Sequence, residues 1–142
     1  LKAVDAGAAL VTHFSNGMSK LKDGARTFAT ALLHETSIPL EVIMDGHHVT
    51  REDVTAIAEA AGDRMVFVTD AMAAAGEPDG DYRIGDLDVV VSEGVARLKS
   101  NGALAGSTLT MNQAVDTARA FGISDNLINH AAQVLPSKLL KI

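Results

Sequence analysis

The alternation of apolar and helical segments in the first half of the chain constrains its fold more than any other feature. Apolar runs predict strands at about Ala8–Thr12, Leu40–Met44 and Met65–Thr69. Helical patterns separate these runs, over Ala25–Glu35 and again from Thr50, where the sequence T-R-E-D has the form of a capping signature. Near-continuous apolar strands that alternate with single helices are typical of βαβ units. We therefore predict a parallel sheet whose three strands are adjacent in chain order.

The second half of the chain departs from this alternation. Short β-prone segments separated by turn residues predict a small antiparallel insertion over about 79–101, after the third strand. Two further helices are predicted over Ser107–Phe121 and Ser124–Leu135. Pro136 follows the second, and Ser137–Ile142 is predicted to add a short helical piece. The predicted strands of the insertion are Tyr82–Ile84, Leu87–Ser92 and Val95–Lys99.

The composition argues against several classes of function. The chain has 12 Lys and Arg against 18 Asp and Glu, a net charge of −6, which disfavours binding to a nucleic-acid backbone. Aromatic residues make up 4%, so a base-stacking surface is not expected. The absence of cysteine excludes disulfides, zinc fingers and thiol catalysis. No apolar run reaches the roughly 18 residues that a membrane span needs, and we expect a cytoplasmic protein whose partner is a small molecule.

Side chains of catalytic or metal-binding type follow each predicted strand. They are His13 after the first strand, Asp45 with His47 and His48 after the second, and Asp70 after the third. In parallel sheets and barrels, active sites form where the strands end. Because adjacent side chains of extended backbone point to opposite sides, at most one of His47 and His48 faces such a site. We expect His13, His48 and Asp70 to converge at the carboxyl ends of the strands.

Each of these features also has a simpler interpretation. His13 is either a zinc or iron ligand or a strand-end histidine bonded to a neighbouring loop. Asp70 is either an acid/base that moves a proton of water or a turn and capping residue. The small residues of Gly102–Thr108 either bring backbone N–H groups close to an anion or an amide carbonyl, or form an ordinary helix cap.

Four motifs in chain order cover nearly the whole sequence. They are V-T-H-F-S-N-G-M (Val11–Met18), M-D-G-H-H-V (Met44–Val49), V-T-D-A-M-A-A-A-G (Val68–Gly76) and G-A-L-A-G-S-T-L-T-M (Gly102–Met111). Together they resemble the motifs of the N-acetylglucosamine-6-phosphate deacetylases, a family of the amidohydrolase superfamily. The resemblance implies an α/β fold, a partial (β/α)8 TIM barrel made of the last three βα units with the antiparallel insertion, as one domain over residues 1–142. It also implies that an amino-terminal part is missing, which agrees with a start at Leu1 within what reads as the end of a helix.

The resemblance implies a role for each matched residue. His13 corresponds to the last ligand of a divalent metal, zinc or iron, whose other ligands come from barrel strands without a counterpart in this chain. Asp70 corresponds to the catalytic acid/base, and His48 to a residue that polarises or holds the substrate. The other implied substrate-binding positions are Asn16 and Gly17 for the sugar phosphate, and Leu104, Ala105, Gly106 and Ser107 for the acetamido end.

One departure from the family concerns the phosphate. Counted from His13, the phosphate-binding Arg of the family falls on Gly24, and Arg26 lies two positions later without the E-P-G that follows it in the family. Ser15 also replaces an aromatic residue. Either Arg26 binds the phosphate from a shifted loop, or the substrate is a different N-acetyl amino sugar.

The implied function is metal-dependent deacetylation of N-acetylglucosamine 6-phosphate, or of a related N-acetyl amino sugar phosphate, to the free amine and acetate. The complete enzyme is expected to be a homo-oligomer, and this chain alone is expected to be inactive. Two alternatives stay open: a catalytically incomplete or sugar-binding remnant, and another amidohydrolase acting on a different amide, such as a dihydroorotase-like enzyme. The G-A-L-A-G-S-T-L-T-M segment favours the deacetylase, because it is peculiar to that family.

Overall fold

The computed structural model describes residues 2–18, 21 and 27–142, and it shows an α/β chain with two sheets. The first sheet pairs β1 (Leu40–Ile43) with β2 (Met65–Val68) in parallel. Helix α3 (Arg51–Ala61) connects the two strands, and a short 3-10 turn at Gly62–Arg64 leads into β2. The predicted βαβ unit is therefore confirmed for the second and third predicted strands.

Threonine side chains fix the starts of three helices. The helices α2 (Phe28–Glu35), α3 and α4 (Met111–Ala120) follow Thr27, Thr50 and Thr110, respectively. Each threonine hydroxyl accepts a hydrogen bond from the backbone N–H three residues later, and the side chain at that later position accepts one from the N–H of the threonine. This capping box satisfies N–H groups that the first helical turn leaves without partners. The signature predicted at Thr50 is confirmed.

One hydrophobic core holds the parallel strands against the helices. Leu40, Val42 and Met65 of the strands are 0% exposed, and so are Val54 and Ile57 of α3. Burying an aliphatic side chain of this size stabilises a fold by about 1.5–3 kcal/mol, so the strand ends are held by a strongly favourable interior. The later helices add Ala114, Ala118, Ile128 and Ala131 to the same core.

The second sheet is the predicted antiparallel insertion. Its strands lie in the order β3 (Gly80–Ile84), β4 (Leu87–Ser92) and β5 (Val95–Leu98), all within the predicted interval. Glu93 and Gly94 form the tight turn between β4 and β5, and both have positive φ, at 52° and 73°, as such turns require. A small second core belongs to this sheet and consists of Ala74, Val89, Val91, Ala96 and Ala105.

The first predicted strand is wrong in its extent. Of Ala8–Thr12, only Val11 pairs with the sheet, in parallel and opposite Leu40. The N–H of Glu41 donates to the Val11 carbonyl (2.9 Å), which fixes this one contact. The chain then turns at once, with His13 at a φ of 32°, and a backbone in that region cannot continue a strand.

Two predicted helix boundaries are also wrong. The helix predicted from Ser107 begins only at α4, because Ser107 pairs in parallel with Ala71 and so extends the sheet. The helix predicted over Ser124–Leu135 does not end at Leu135 but continues into the segment where a further helical piece is predicted. Helix α5 (Asp125–Asn129) continues through a π-helical turn (His130–Val134) into α6 (Leu135–Leu140). Pro136 lies in the first turn of α6, where the missing N–H of proline is tolerated.

The amino-terminal helices agree with the pattern as far as they are described. Helix α1 (Lys2–Asp5) is followed by Gly7 at a φ of 100°, which confirms a helix that ends at a glycine. Of the helix predicted over Ala25–Glu35, positions 25 and 26 lie outside the described residues. Within the described part of the chain, no helix is long and apolar enough to cross a membrane.

Candidate active site

The two paired strands end level with each other, and an aspartate follows each strand end at the same spacing. Ile43 is directly opposite Val68 at the ends of β1 and β2. Asp45 and Asp70 each follow two residues later. We call this carboxyl end of the parallel sheet the site edge. The structure therefore brings the second and third predicted strand ends together, as the sequence predicts.

His13 leaves the sheet earlier than the other two strand ends. Val11 is opposite Leu40, and the N–H of Phe14 donates to the Glu41 carbonyl (2.6 Å), so the chain departs beside the middle of β1. The Nδ1 atom of His13 is buried and has no hydrogen-bond partner among the described residues. A buried ring nitrogen without a partner costs about 1–3 kcal/mol unless something binds it. His13 is therefore staggered relative to the site edge, with a nitrogen that the fold does not use.

The described residues do not complete a metal site. No three His, Asp or Glu side chains within 2–18, 21 and 27–142 are grouped so that they could hold a metal ion. The chemistry of the His13 ring suits zinc or iron, but one imidazole does not make a catalytic site, which usually has three protein ligands. His13 fits as one ligand of a set that these residues do not supply.

Asp70 combines an anchored backbone with an accessible side chain. Its φ of 50° lies in the left-handed region, which Asp and Asn adopt more readily than other non-glycine residues. Its carbonyl accepts a hydrogen bond from the N–H of Ser107 (2.8 Å). The residue itself is exposed. The carboxylate is therefore held in place through the main chain while it remains open to a ligand.

Ser107 joins the glycine-rich segment to the site edge. It pairs in parallel with Ala71, and its carbonyl accepts the N–H of Met72 (2.9 Å). Its hydroxyl donates to the Thr69 carbonyl and accepts the N–H of Leu109 (3.1 Å), in a residue that is only 3% exposed. The hydroxyl of Ser107 is therefore already used in hydrogen bonds within the fold. Its contact with an acetamido group stays a prediction.

Gly106 packs so closely against Asp70 that we expect no larger residue to fit without strain. Its φ is +60°, and a Cβ atom there would lie 3.3 Å from both the Asp70 carbonyl oxygen and the Met72 Cβ. Gly106→Ala should lower the free energy of unfolding by more than the roughly 1–2 kcal/mol that a left-handed backbone costs by itself. The matched control is Gly102→Ala, because Gly102 has a φ of +74° and nothing within 4 Å of its Cβ position. Urea unfolding measures both variants, and equal losses would contradict the close contact.

Asp45 and His48 form a buried pair at the end of β1. Asp45 Oδ1 accepts the backbone N–H groups of His47 and His48, both at 2.8 Å. Asp45 Oδ2 lies 2.6 Å from His48 Nδ1, and the two side chains are only 11% and 2% exposed, respectively. The Nε2 atom of His48 is buried without a hydrogen-bond partner among the described residues. His48 is thus held inward while His47 is exposed, and the prediction that at most one of them faces a site fits this arrangement.

The predictions assign no role to Asp45, although the structure shows it bonded to His48. The sequence feature that indicates this contact is the spacing D-G-H-H, because a carboxylate at the start of a tight turn reaches backbone N–H groups two and three residues later. The same turn brings the His48 ring within reach of the second oxygen.

The hydrogen bonds from His47 and His48 lower the pKa of Asp45. Burial raises the pKa of this carboxyl, but the side-chain hydrogen bond from His48, the backbone N–H groups of both histidines and the charge of His48 hold it below its ordinary value of 3.8. The folded state therefore favours the carboxylate. Asp45 stabilises the fold above its ordinary pKa, and this contribution is lost as the pH falls through the lowered value.

We expect the stability of the protein in acid to depend on Asp45. Its contribution should be complete above about pH 5 and should decline as the pH falls below 3.8. Asp45→Asn has no carboxyl to protonate, so the difference in free energy of unfolding between wild type and variant should shrink over this range. Urea titrations at successive pH values measure it, and a difference that does not change with pH would contradict the assignment.

The remaining predicted residues lie in the turn after His13, beside β5 or outside the described part. Asn16 and Gly17 belong to the turn that follows His13, and Gly17 has a φ of 65°. Leu104 and Ala105 pack against β5, which leads the chain back to Ser107. Arg26 lies outside the described residues. The substrate contacts of these positions stay predictions.

Similar proteins point to one family. No family model matches the chain. An N-acetylgalactosamine-6-phosphate deacetylase of Escherichia coli O157:H7 is 38% identical over 141 residues, which are 99% of this chain and 37% of that protein. An N-acetylglucosamine-6-phosphate deacetylase of Vibrio furnissii is 40% identical over 114 residues, which are 80% of this chain and 28% of that protein.

A solved structure shows the same similarity. It is an aspartate-to-alanine variant of the N-acetyl-D-glucosamine-6-phosphate deacetylase of Mycobacterium smegmatis, in complex with N-acetyl-D-glucosamine-6-phosphate. It matches with a TM-score of 0.89 at 37% identity and covers 99% of this chain and 38% of that chain.

The chain spans about a third of the length of these relatives. A shorter protein of Escherichia coli K12, provisionally named an N-acetylgalactosamine-6-phosphate deacetylase, is 37% identical over 131 residues, and this chain covers 78% of it. The similarity thus extends over most of one relative and nearly all of the present chain. The chain belongs to the N-acetylglucosamine-6-phosphate deacetylase family.

Proposed function

We propose that this chain contributes a partial (β/α)8 barrel, with its last three βα units, to a metal-dependent deacetylase of N-acetylglucosamine 6-phosphate or a related N-acetyl amino sugar phosphate. The observation that carries the proposal is the site edge. Asp45 and Asp70 each lie two residues beyond the last pair of the parallel strands, and Ser107 pairs in parallel with Ala71, the residue after Asp70. Membership of the family and the names of the relatives support the substrate class. A cytoplasmic location and a homo-oligomeric state are further proposals that rest on the family resemblance.

Asp70 is the proposed acid/base. Water adds to the carbonyl carbon of the acetamido group, and the Asp70 carboxylate takes a proton from that water. Asp70 then gives the proton to the amide nitrogen as the C–N bond breaks, which yields acetate and the free amine. An accessible carboxylate on a backbone that Ser107 holds in place supports this role, because a group that transfers a proton twice must stay in one position.

His13 is the proposed contribution of this chain to a divalent metal site. Because one imidazole is a weak site for zinc, we expect the 142-residue chain alone to bind zinc only weakly. His13→Ala should remove this binding, whereas His34→Ala, on an exposed position of α2, should not. Calorimetric titration with zinc chloride measures both variants. Tight binding of one zinc ion by the wild-type chain would show that this chain supplies more of the metal site than His13.

The proposed substrate is an N-acetyl amino sugar phosphate, with either the glucosamine or the galactosamine configuration. The relatives from Escherichia coli O157:H7 and Vibrio furnissii are named for N-acetylgalactosamine 6-phosphate and N-acetylglucosamine 6-phosphate, respectively. Asn16 and Gly17 are the proposed contacts to the sugar phosphate, with Arg26 as the candidate cation. The proposed positions along the acetamido end are Leu104, Ala105, Gly106 and Ser107.

A chimera tests the proposed function. Residues 1–142 replace the matching segment of the Escherichia coli O157:H7 deacetylase, so that the remaining strands come from a relative 38% identical to this chain. The chimera should release acetate from one or both hexosamine 6-phosphates, and the 142-residue chain alone should not. Unphosphorylated N-acetylglucosamine is the substrate control for phosphate recognition. A folded, metal-loaded chimera that releases no acetate from either phosphate would overturn the proposal.

A further inference from the structure

We propose that Asp45 is a positioning residue that places the proton of the His48 ring on Nδ1, so that Nε2 is the nitrogen presented to a ligand. The two residues lie at the site edge, and the reaction proposed above gives Asp45 no role. The statement about the ligand rests on the proposed function. The statement about the proton rests only on the geometry of the pair.

The carboxylate of Asp45 is held in one orientation before it meets the ring. Its Oδ1 atom accepts two backbone N–H groups, from His47 and His48, at 2.8 Å each. Because both donors come from the same turn, rotation of the carboxylate would break both bonds. The Oδ2 atom is thereby fixed at 2.6 Å from His48 Nδ1.

This orientation decides which ring nitrogen carries the proton. An ionised carboxylate can only accept hydrogen bonds, so a bond of this length requires a proton on Nδ1. In a neutral His48 ring, Nε2 then carries a lone pair. The His48 side chain is 2% exposed, and its Nε2 atom is buried without a hydrogen-bond partner in the described part of the chain. The fold therefore buries an acceptor and leaves it unused.

The class of ligand follows from this lone pair. A neutral His48 ring accepts a hydrogen bond from a hydroxyl or an N–H group, both of which an N-acetyl amino sugar offers. The ring can donate from Nε2 only as the imidazolium, whose charge Asp45 would balance. Loss of the carboxylate should thus alter what Nε2 can bind without moving the ring.

Asp45→Asn tests the role of the carboxylate directly, because asparagine keeps the shape of the side chain and removes only its charge and one acceptor. The amide oxygen must stay at the Oδ1 position, since the two backbone N–H groups there need an acceptor. The NH2 group then takes the Oδ2 position and donates to Nδ1, which drives the ring proton to Nε2. The matched control is Asp79→Asn, because Asp79 also accepts two backbone N–H groups, from Glu93 and Gly94, in a turn without a histidine.

The experiment is nitrogen NMR of the ligand-free 142-residue chain with 15N-labelled histidine. Spectra are recorded at about pH 8.5, two units above the ordinary histidine pKa of about 6.5, and the His48 signals are identified by their loss in His48→Gln. Wild type and Asp79→Asn should show the proton on Nδ1 and a bare Nε2. Asp45→Asn should show the reverse, a shift of the major population from one tautomer to the other.

Two results would overturn the proposal. One is a wild-type His48 ring with its proton on Nε2, a result that does not depend on Asp45→Asn and so stands even if that variant does not fold. The other is a folded Asp45→Asn protein that keeps the wild-type tautomer. Since no activity is measured, a failure here is distinguishable from a failure of the chimera to release acetate.

Discussion

Asp70→Asn is expected to lower the turnover of the acetate-releasing chimera by ~10²–10⁴-fold, the effect of losing a general acid/base. Asparagine cannot take a proton from water at neutral pH, nor return one to the leaving nitrogen. The substitution should leave the fold intact, because asparagine adopts the left-handed backbone at position 70, with its φ of 50°, as readily as aspartate does. Steady-state release of acetate from the hexosamine phosphate measures the loss.

The metal content and the thermal stability of the Asp70→Asn chimera should equal those of the parent chimera, because the Asp70 main chain and not its side chain is bonded to Ser107. Asp86→Asn is the matched control, since Asp86 is an exposed aspartate in the turn between β3 and β4. It should keep full turnover. Near-normal turnover of Asp70→Asn would show that Asp70 is only a turn residue, and the proposed mechanism would fail.

Phe67→Ala is expected to cost about 3–5 kcal/mol of the free energy of unfolding, because it removes a buried ring and leaves a cavity beside β1. Phe67 lies in the middle of β2, is 3% exposed and belongs to the main core. Small domains have total stabilities of about 5–15 kcal/mol, so the variant should lose between about a fifth and all of the original stability. Urea unfolding followed by circular dichroism measures the change.

Phe28→Ala is the control for the same chemical change at the surface. Phe28 begins α2 and is 59% exposed, so the loss of its ring should have a small effect on the free energy of unfolding. Comparable losses for the two variants would mean that β2 is not packed in the core as described.

The elements that could be predicted are those whose pattern is local. The strands at Leu40–Met44 and Met65–Thr69 are near-continuous apolar runs, and the capping signature at Thr50 predicts the helix that follows it. The antiparallel sheet could be predicted because its two turns carry Gly85 and Gly94, and glycine adopts positive φ without strain. In each case the residues that decide the structure lie within a few positions of one another.

The parts that could not be predicted depend on distant contacts. Ser107 looks like the start of a helix but pairs with Ala71, 36 positions earlier, and no local signal favours that pairing over a helix cap. Val11 forms a single contact with the sheet, because the turn at His13 ends the pairing that its apolar neighbours would otherwise support.

The pairing of Ala71 with Ser107 brings together the two ends of the segment that contains the whole antiparallel sheet. A segment whose first and last residues are neighbours in space behaves as an inserted module. Such a module can be exchanged or shortened without disrupting the rest of the fold. At that junction the N–H of Ser107 donates to the Asp70 carbonyl, so the hydrogen bond that holds the proposed acid/base also joins the two ends of the module. The antiparallel sheet can therefore diverge in size and surface among related proteins while the proton-transferring carboxylate keeps its place.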